Sequence, residues 1–162
     1  KKNKRYVTID ETTLVKSHRC PRCICDFASL IMPQYPEMKS VKENSQQEHC
    51  LLIKNCDVGN YVDRFNPVAL IWNNKALKNI HPNIKQRYNM GEVKGLDFPN
   101  VIVYPTENML TWINNTTKQL ADETRAKLYV AVTRAEITIG IIVPDDFCLP
   151  SESMLQFWSN PD

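Results

Sequence analysis

Residues 128–143 read LYVAVTRAEITIGIIV, and this stretch decides the fold. Its first half places Leu128, Val132 and Ala135 near one face of a helix, and its second half is a β-branched run that ends at Pro144. Further short runs that are apolar on both faces lie at 50–53, 67–72 and 101–104. Helical patterns separate these runs, at 21–32, 57–64, 107–114 and 123–135. The sequence therefore predicts an α/β fold with a mostly parallel sheet and helices on both faces.

The composition is that of a globular domain. The chain has 162 residues, of which 43% are hydrophobic and 23% charged, and its formal net charge is +2. This hydrophobic content argues against disorder, and the charge is too small to indicate nucleic-acid binding by itself. No run approaches the roughly 18 apolar residues of a membrane span, so we expect no membrane partner. Residues 5–9 alternate as a strand does, not as a secretory signal, and the start at Lys1 suggests a piece of a longer polypeptide.

Glycine usage limits what the chain can do with a nucleotide. The four glycines are Gly59, Gly91, Gly95 and Gly140, and Lys follows none of them. The sequence thus contains neither a GKS or GKT phosphate loop nor a G-x-G-x-x-G fingerprint. The primary phosphate cradle of a nucleotide-binding protein is therefore not in this chain.

The cysteines raise the question of zinc. Cys20 and Cys23 form one C-x-x-C pair with Cys25 close behind, but a closed tetrahedral site needs a second pair of ligands. Cys50 and Cys56 do not have that spacing. We favour helix packing for the cysteine cluster and predict no metal site, with a small zinc domain as the alternative. Dispersed cysteines also fit a reducing, cytoplasmic location.

A second informative stretch is KGLDFPNVIV, residues 94–103. Its Lys94-Gly95 step precedes a buried strand and predicts a turn that a Cβ would obstruct. We expect Lys94 and Asp97 near the carboxyl ends of the strands, where the ligands of α/β folds gather. Arg134 ends a helical segment among small neighbours, so its side chain should project freely toward the same edge.

These stretches resemble a known family. KGLDFPNVIV resembles motif V of UvrD/Rep-type superfamily 1 DNA helicases, and LYVAVTRA (128–135) is similar to their motif VI. The segment SHRC (17–20), followed by Ile24 and Ala28, resembles motif IV more loosely. The resemblance implies the second, C-terminal RecA-like motor domain over residues 1–145. Residues 146–162 would then form a C-terminal tail with a short helix at 154–158.

In such helicases ATP binds in a cleft between two RecA-like domains, and the resemblance implies residue roles. Arg134 and Arg19 are the candidate catalytic arginines that touch the γ-phosphate. A guanidinium suits that task because charge builds on the phosphoryl oxygens in the transition state and a planar fork of donors matches them. Gly95, Asp97 and His18 are the candidate cofactor-binding residues.

The same resemblance implies partners. Asn89, Gly91 and Lys94 stand where the family meets single-stranded DNA. ATP and Mg²⁺ would be held mainly by an upstream RecA-like domain of the same polypeptide, so this chain alone should not hydrolyse ATP. The chain would thus be the C-terminal half of an ATP-dependent helicase or translocase motor.

One alternative function remains open, a helicase-like domain kept as a non-catalytic scaffold or protein-interaction module. It is motivated by departures from the family pattern at four positions: His18, Asn89, Gly91 and Asp97. The tryptophans leave a smaller choice open, between base stacking and packing. We favour core or interface packing for Trp72, Trp112 and Trp158.

Overall fold

The computed structural model describes residues 16–162, so the strand predicted over 5–9 lies outside the described residues. The regular elements follow one another in chain order. They are β1 (Lys16–Ser17), α1 (Arg22–Ile31), β2 (Lys39–Ser40), β3 (His49–Lys54), α2 (Val58–Phe65), β4 (Val68–Ile71), β5 (Arg87–Asn89), β6 (Phe98–Val103), α3 (Glu107–Asn114), α4 (Asp122–Val132) and β7 (Ala135–Val143). Within this range no helix has the length and apolar character needed to cross a membrane.

Five of these strands form the central sheet, in the order β3-β7-β6-β4-β5. Every strand pairing within residues 16–162 is parallel. The longest strand, β7, lies between β3 and β6 and is the β-branched run ITIGIIV with its preceding residues. The predicted fold class, a mostly parallel α/β sheet, is confirmed.

Alternate side chains of the strands enter two separate cores, as a pleated sheet requires. On one face, Leu52, Leu70 and Ile141 pack with α1, α3 and α4. On the other face, Ile53 and Ile102 pack with α2. The helices thus cover both faces, which explains why the strand sequences are continuously apolar. Trp112 and Trp158 are 2% and 7% exposed and pack in these cores, as predicted.

Local sequence sets several helix boundaries. The side chain of Thr106 accepts a hydrogen bond from the Met109 amide (3.3 Å) and caps α3. Helix α2 ends at Asn66, which adopts the left-handed conformation with φ 44°. Gly95 has φ +87°, so the predicted Lys94-Gly95 turn does require glycine.

The predicted short helix over 154–158 is wrong. This stretch is extended, and Phe157 forms a parallel bridge to Leu52 of β3. The Leu52 amide donates to Gln156 O, and the Trp158 amide donates to Leu52 O, both at 2.8 Å. The tail therefore supplies hydrogen-bond partners to the outer edge of β3, and a helical tail would not supply them.

A polar pair lies within the aromatic cluster under α2. His49 Nε2 is 2.7 Å from the hydroxyl of the fully buried Tyr61, and Phe65 and Trp158 pack around them. Burial lowers the pKa of His49 from 6.5 to about 4. Since the folded chain binds this proton less readily than the unfolded chain, the pair favours folding above pH 6.5 and loses that contribution as the pH falls toward 4.

Lowering the pH from 7 to 5 should therefore reduce the free energy of unfolding through His49. We expect a contribution on the order of 1 kcal/mol, measured by urea unfolding at the two pH values. In His49→Gln, which keeps a hydrogen-bonding side chain but cannot titrate, the difference between pH 7 and pH 5 should shrink by that amount. An unchanged difference would show that His49 does not gain its proton on unfolding.

Gly140 on β7 is needed for close packing against α2. A Cβ built there lies 2.8 Å from Ile53 Cγ1 and 2.9 Å from Tyr61 Cζ. We expect Gly140→Ala to lower the free energy of unfolding by about 1–3 kcal/mol because both neighbours are fully buried. Gly59→Ala in α2 is the control, since its Cβ would come no closer than 3.4 Å to His81. The control should be neutral or gain roughly 0.5–1 kcal/mol from helix propensity, and equal losses in the two variants would contradict this packing.

Candidate functional site

The three segments that resemble helicase motifs meet at one edge of the central sheet. Asp97 directly precedes β6, and Arg134 directly precedes β7. These strands are neighbours, with Phe98 paired to Ala135, and the Phe98 amide donates to Arg134 O at 2.9 Å. Arg19 reaches the same place from the loop before α1. Residues 19, 97 and 134 are therefore side by side although they are far apart in the sequence.

This edge is the opposite of the one predicted for Lys94, Asp97 and Arg134. We expected the carboxyl ends of the strands, but a residue that directly precedes a parallel strand lies at the amino ends. The reason is topological, because each connection between parallel strands must return across the sheet before the next strand begins. Helix α4 makes this return before β7, and residues 90–97 make it before β6. The prediction of a carboxyl-edge location is wrong.

An ion pair joins the first two of these residues. Arg19 Nε lies 2.7 Å from Asp97 Oδ1, and the two side chains are 34% and 43% exposed. Arg19 Nη1 also donates to the carbonyl oxygen of Thr133 at 3.0 Å. The Arg19 guanidinium is thus held by one charged and one neutral acceptor at a surface that solvent reaches.

Within residues 16–162, Arg134 is bonded only to neutral groups. Its Nε donates to Val130 O (3.2 Å), its Nη1 to Leu96 O (3.4 Å) and its Nη2 to Thr133 Oγ1 (3.2 Å). Burial and the charge of Arg19 lower the pKa of Arg134, while the Asp97 carboxylate opposes that shift. Arginine stays protonated in proteins even so. Two guanidinium groups and one carboxylate leave the site with a net charge of +1, which suits an anion.

Thr133 connects both arginines, although the sequence indicates only that it is one of the small neighbours of Arg134. Its side chain is almost fully buried, and its hydroxyl lies 2.9 Å from Tyr129 O and 3.2 Å from Val130 O. Its carbonyl oxygen accepts from Arg19 and its hydroxyl accepts from Arg134. A threonine at the end of a helix, directly before a candidate arginine, is the signal that could have identified it.

The remaining nucleotide candidates lie near this site. Gly95 is exposed and forms the turn that leads into Asp97. His18 is exposed and directly precedes Arg19. The structure thus brings Arg19, Asp97 and Arg134 into one cluster and places His18 and Gly95 beside it.

Two of the residues predicted to contact DNA lie elsewhere. Asn89 ends β5, so it lies at the carboxyl edge of the sheet, and its side chain is 3.4 Å from Glu92. Gly91 follows, and a Cβ there would be 3.8 Å from Lys127 Cε. Lys94 is exposed in the return to β6. Asn89 and Gly91 therefore do not form one cluster with the arginines.

A lysine and an aromatic ring lie next to Gly91. Lys127 Nζ is 4.1 Å from the centre of the Trp72 ring, and Trp72 is only half-buried. Trp72 follows β4 directly, so this pair also lies toward the carboxyl ends of the strands. An aromatic ring with an adjacent cation is a common element of single-strand binding surfaces.

The cysteines of the C-x-x-C region take part in packing and hydrogen bonds. Cys20 Sγ donates to Thr133 O (3.4 Å), and Cys25 Sγ donates to Cys20 O (3.5 Å). Burial raises the pKa of Cys20 and raises that of Cys25 to about 12. Burial thus favours the protonated thiol at both positions. Across residues 16–162, no three His, Cys, Asp or Glu side chains are grouped so as to hold a metal ion.

Comparison with known proteins gives a limited result. No family model matches the chain, and no curated protein matches it. Among solved structures, the C-terminal domain of a possible DNA helicase from Lactobacillus plantarum WCFS1 is similar over 83% of this chain and 91% of that one, with 18% identity and a TM-score of 0.47. The helicase nsp10 of PRRSV is similar over 85% of this chain, with 18% identity and a TM-score of 0.49. This chain spans 26% of the nsp10 chain. Both TM-scores are below 0.5.

The environments of the cysteines predict their reactivity. Cys20, Cys25 and Cys50 are buried, and burial raises the pKa of each thiol. Cys56 and Cys148 are exposed. A thiol-specific colorimetric reagent should therefore modify Cys148 and Cys56 in the native protein, while the three buried thiols should react only after denaturation.

Mass spectrometry after brief labelling identifies which thiols have reacted. A Cys148→Ser variant is the control and should lose one rapidly reacting group. Labelling of Cys20 as fast as that of Cys148 would contradict the hydrogen-bonded packing against Thr133. Protection of Cys20, Cys23 and Cys25 that a chelator removes would instead support the zinc alternative.

Proposed function

We propose that this chain is the C-terminal RecA-like motor domain of an ATP-dependent DNA helicase or translocase of the UvrD/Rep type. In this role it supplies Arg134 and Arg19 to a triphosphate held by an upstream RecA-like domain of the same polypeptide. That upstream domain would carry the main phosphate loop and the Mg²⁺ site, which is consistent with the absence of such a loop from this sequence. The chain alone is then inactive as an ATPase.

The convergence of Arg19, Asp97 and Arg134 is the observation that carries this proposal. Each comes from a different motif-like segment; Arg19 forms an ion pair with Asp97, and both arginines donate to Thr133, Arg19 to its carbonyl oxygen and Arg134 to its hydroxyl. A pair of guanidinium groups at an exposed edge matches the equatorial oxygens of a transferring γ-phosphoryl group. The site provides no phosphate loop of its own, so a second surface must complete it.

The DNA partner is proposed on separate grounds. Gly91, Asn89 and the adjacent pair of Trp72 and Lys127 lie toward the carboxyl ends of the strands, away from the arginines. A stacking ring with a lysine can hold a base and its phosphate without reading sequence. With ATP and DNA at opposite edges of one sheet, a rotation of the domain would couple ATP hydrolysis to movement along the DNA. The proposal also includes Lys94 as a DNA contact and the cytoplasm as the place where the protein acts.

Loss of Arg134 gives the direct test. In the polypeptide that joins this chain to the proposed upstream domain, Arg134→Ala should reduce kcat for DNA-stimulated ATP hydrolysis by roughly 10³-fold or more. Binding of a fluorescent single-stranded oligonucleotide should change little, because the DNA residues lie at the other edge. Arg134→Lys should stay impaired, since a lysine keeps the charge but not the planar fork.

The matched control is Arg87→Ala, which removes an exposed arginine from β5, at the far side of the sheet. Its ATP turnover should equal that of the unaltered protein. Full turnover in Arg134→Ala would exclude the arginine-finger role.

A scaffold function is the second candidate, and one observation favours it. All three nitrogens of Arg134 already donate to groups of this chain, as they would if the arginine served only to hold the start of β7. In that case Arg134→Ala should lower the free energy of unfolding by about 1–3 kcal/mol and leave any ATP turnover intact. Unfolding and turnover measured on the same variant therefore separate the two functions.

A further inference from the structure

We propose that Asp97 is an internal counter-ion of Arg19, so that an incoming phosphate competes with it for the guanidinium. The carboxylate contacts Arg19 Nε at 2.7 Å, and this is a charge-assisted contact of the kind that a phosphate oxygen would make. The inference rests on the proposed function for one point only, the identity of the anion as the polyphosphate of a nucleotide.

The donors available to an anion differ between the two arginines. Arg134 donates to two carbonyl oxygens and one hydroxyl, all of them neutral. Among the described residues, Arg19 is the one of the two arginines that has a charged partner, and its other bond, to Thr133 O, is neutral. An incoming anion therefore competes with a negatively charged group at one contact, the Arg19–Asp97 ion pair.

That contact is weak enough to exchange. With side chains 34% and 43% exposed, the pair is partly hydrated, and ion pairs that solvent reaches in this way are weak. A polyphosphate carries more charge than a carboxylate and can engage both guanidinium groups at once. The Asp97 carboxylate thus lowers the affinity of the free domain for anions without closing the site to them.

The charge balance explains why a carboxylate is useful here. Burial of Arg134 and the nearby charge of Arg19 both disfavour the positive charge on Arg134 and lower its pKa. The Asp97 carboxylate acts in the opposite direction and raises that pKa. Once a phosphate arrives, its charge takes over that task. Asp97 is therefore a positioning residue that acts through Arg19, and it keeps the arginines together while the site is empty.

The test measures binding of sodium tripolyphosphate to the 162-residue chain by isothermal titration calorimetry at low ionic strength. Asp97→Asn, which keeps the shape and removes the charge, should bind about two- to fivefold more tightly than the unaltered chain. Asp97→Ala should shift the affinity in the same direction. Asp146→Asn is the matched control, because it removes an exposed carboxylate beyond the carboxyl end of β7 and changes the net charge equally. Its affinity should stay that of the unaltered chain.

The double variant Arg19→Gln/Asp97→Asn, compared with Arg19→Gln alone, assigns the effect to the pair. The gain from Asp97→Asn should vanish when Arg19 is absent, since no guanidinium is then released. Three results would each overturn the inference: equal affinity of Asp97→Asn and the unaltered chain, no binding by either at millimolar tripolyphosphate, or a gain that persists without Arg19.

These outcomes are separate from those of the proposed function. Calorimetry on this chain needs neither hydrolysis nor DNA. A tighter Asp97→Asn together with full turnover in Arg134→Ala would keep the anion site and remove the motor. A motor that depends on Arg134, with no change in Asp97→Asn, would keep the motor and remove the counter-ion.

Discussion

The parallel pairing of β6 with β7 is the constraint on which the candidate site depends. Because Phe98 pairs with Ala135, the residues just before the two strands, Asp97 and Arg134, must lie side by side. A shift of register by one residue would separate them and would also move each strand's side chains to the opposite core. The two apolar cores fix the register from Asn100 onward, and a one-residue irregularity between Phe98 and Asn100 then sets Phe98 opposite Ala135 at the site.

The sequence predicts the elements that are apolar and misses those that are not. β7 and β6 are recognisable because they are β-branched and buried on both faces. β5 consists of Arg87, Tyr88 and Asn89, a short polar edge strand whose pattern resembles a loop. β1 and β2 contain two residues each and have no periodicity to detect.

The tail shows how a correct pattern can give the wrong element. Leu155 and Trp158 are three residues apart, which suits one face of a helix. In the structure they enter different cores, Leu155 on one face of the sheet and Trp158 on the other. An odd spacing separates faces in an extended chain, and the hydrogen bonds to Leu52 stabilise that conformation. The decisive partner is distant in sequence, so a local pattern could not identify it.

The sequence predicted which residues form the site but not at which edge of the sheet they lie. Arg19, Asp97 and Arg134 follow from motif-like segments, yet their edge of the sheet follows only from which way each connection returns. Thr133 was missed because its carbonyl oxygen and its hydroxyl accept hydrogen bonds from Arg19 and Arg134, and only the fold brings Arg19 to it. The resulting arrangement is energetically uneven, since an anion competes with neutral acceptors at Arg134 and with a carboxylate at Arg19. Within residues 16–162 the contacts of the cluster use three of the five N–H donors of Arg134 and two of those of Arg19, so both guanidinium groups keep donors for an anion at this edge.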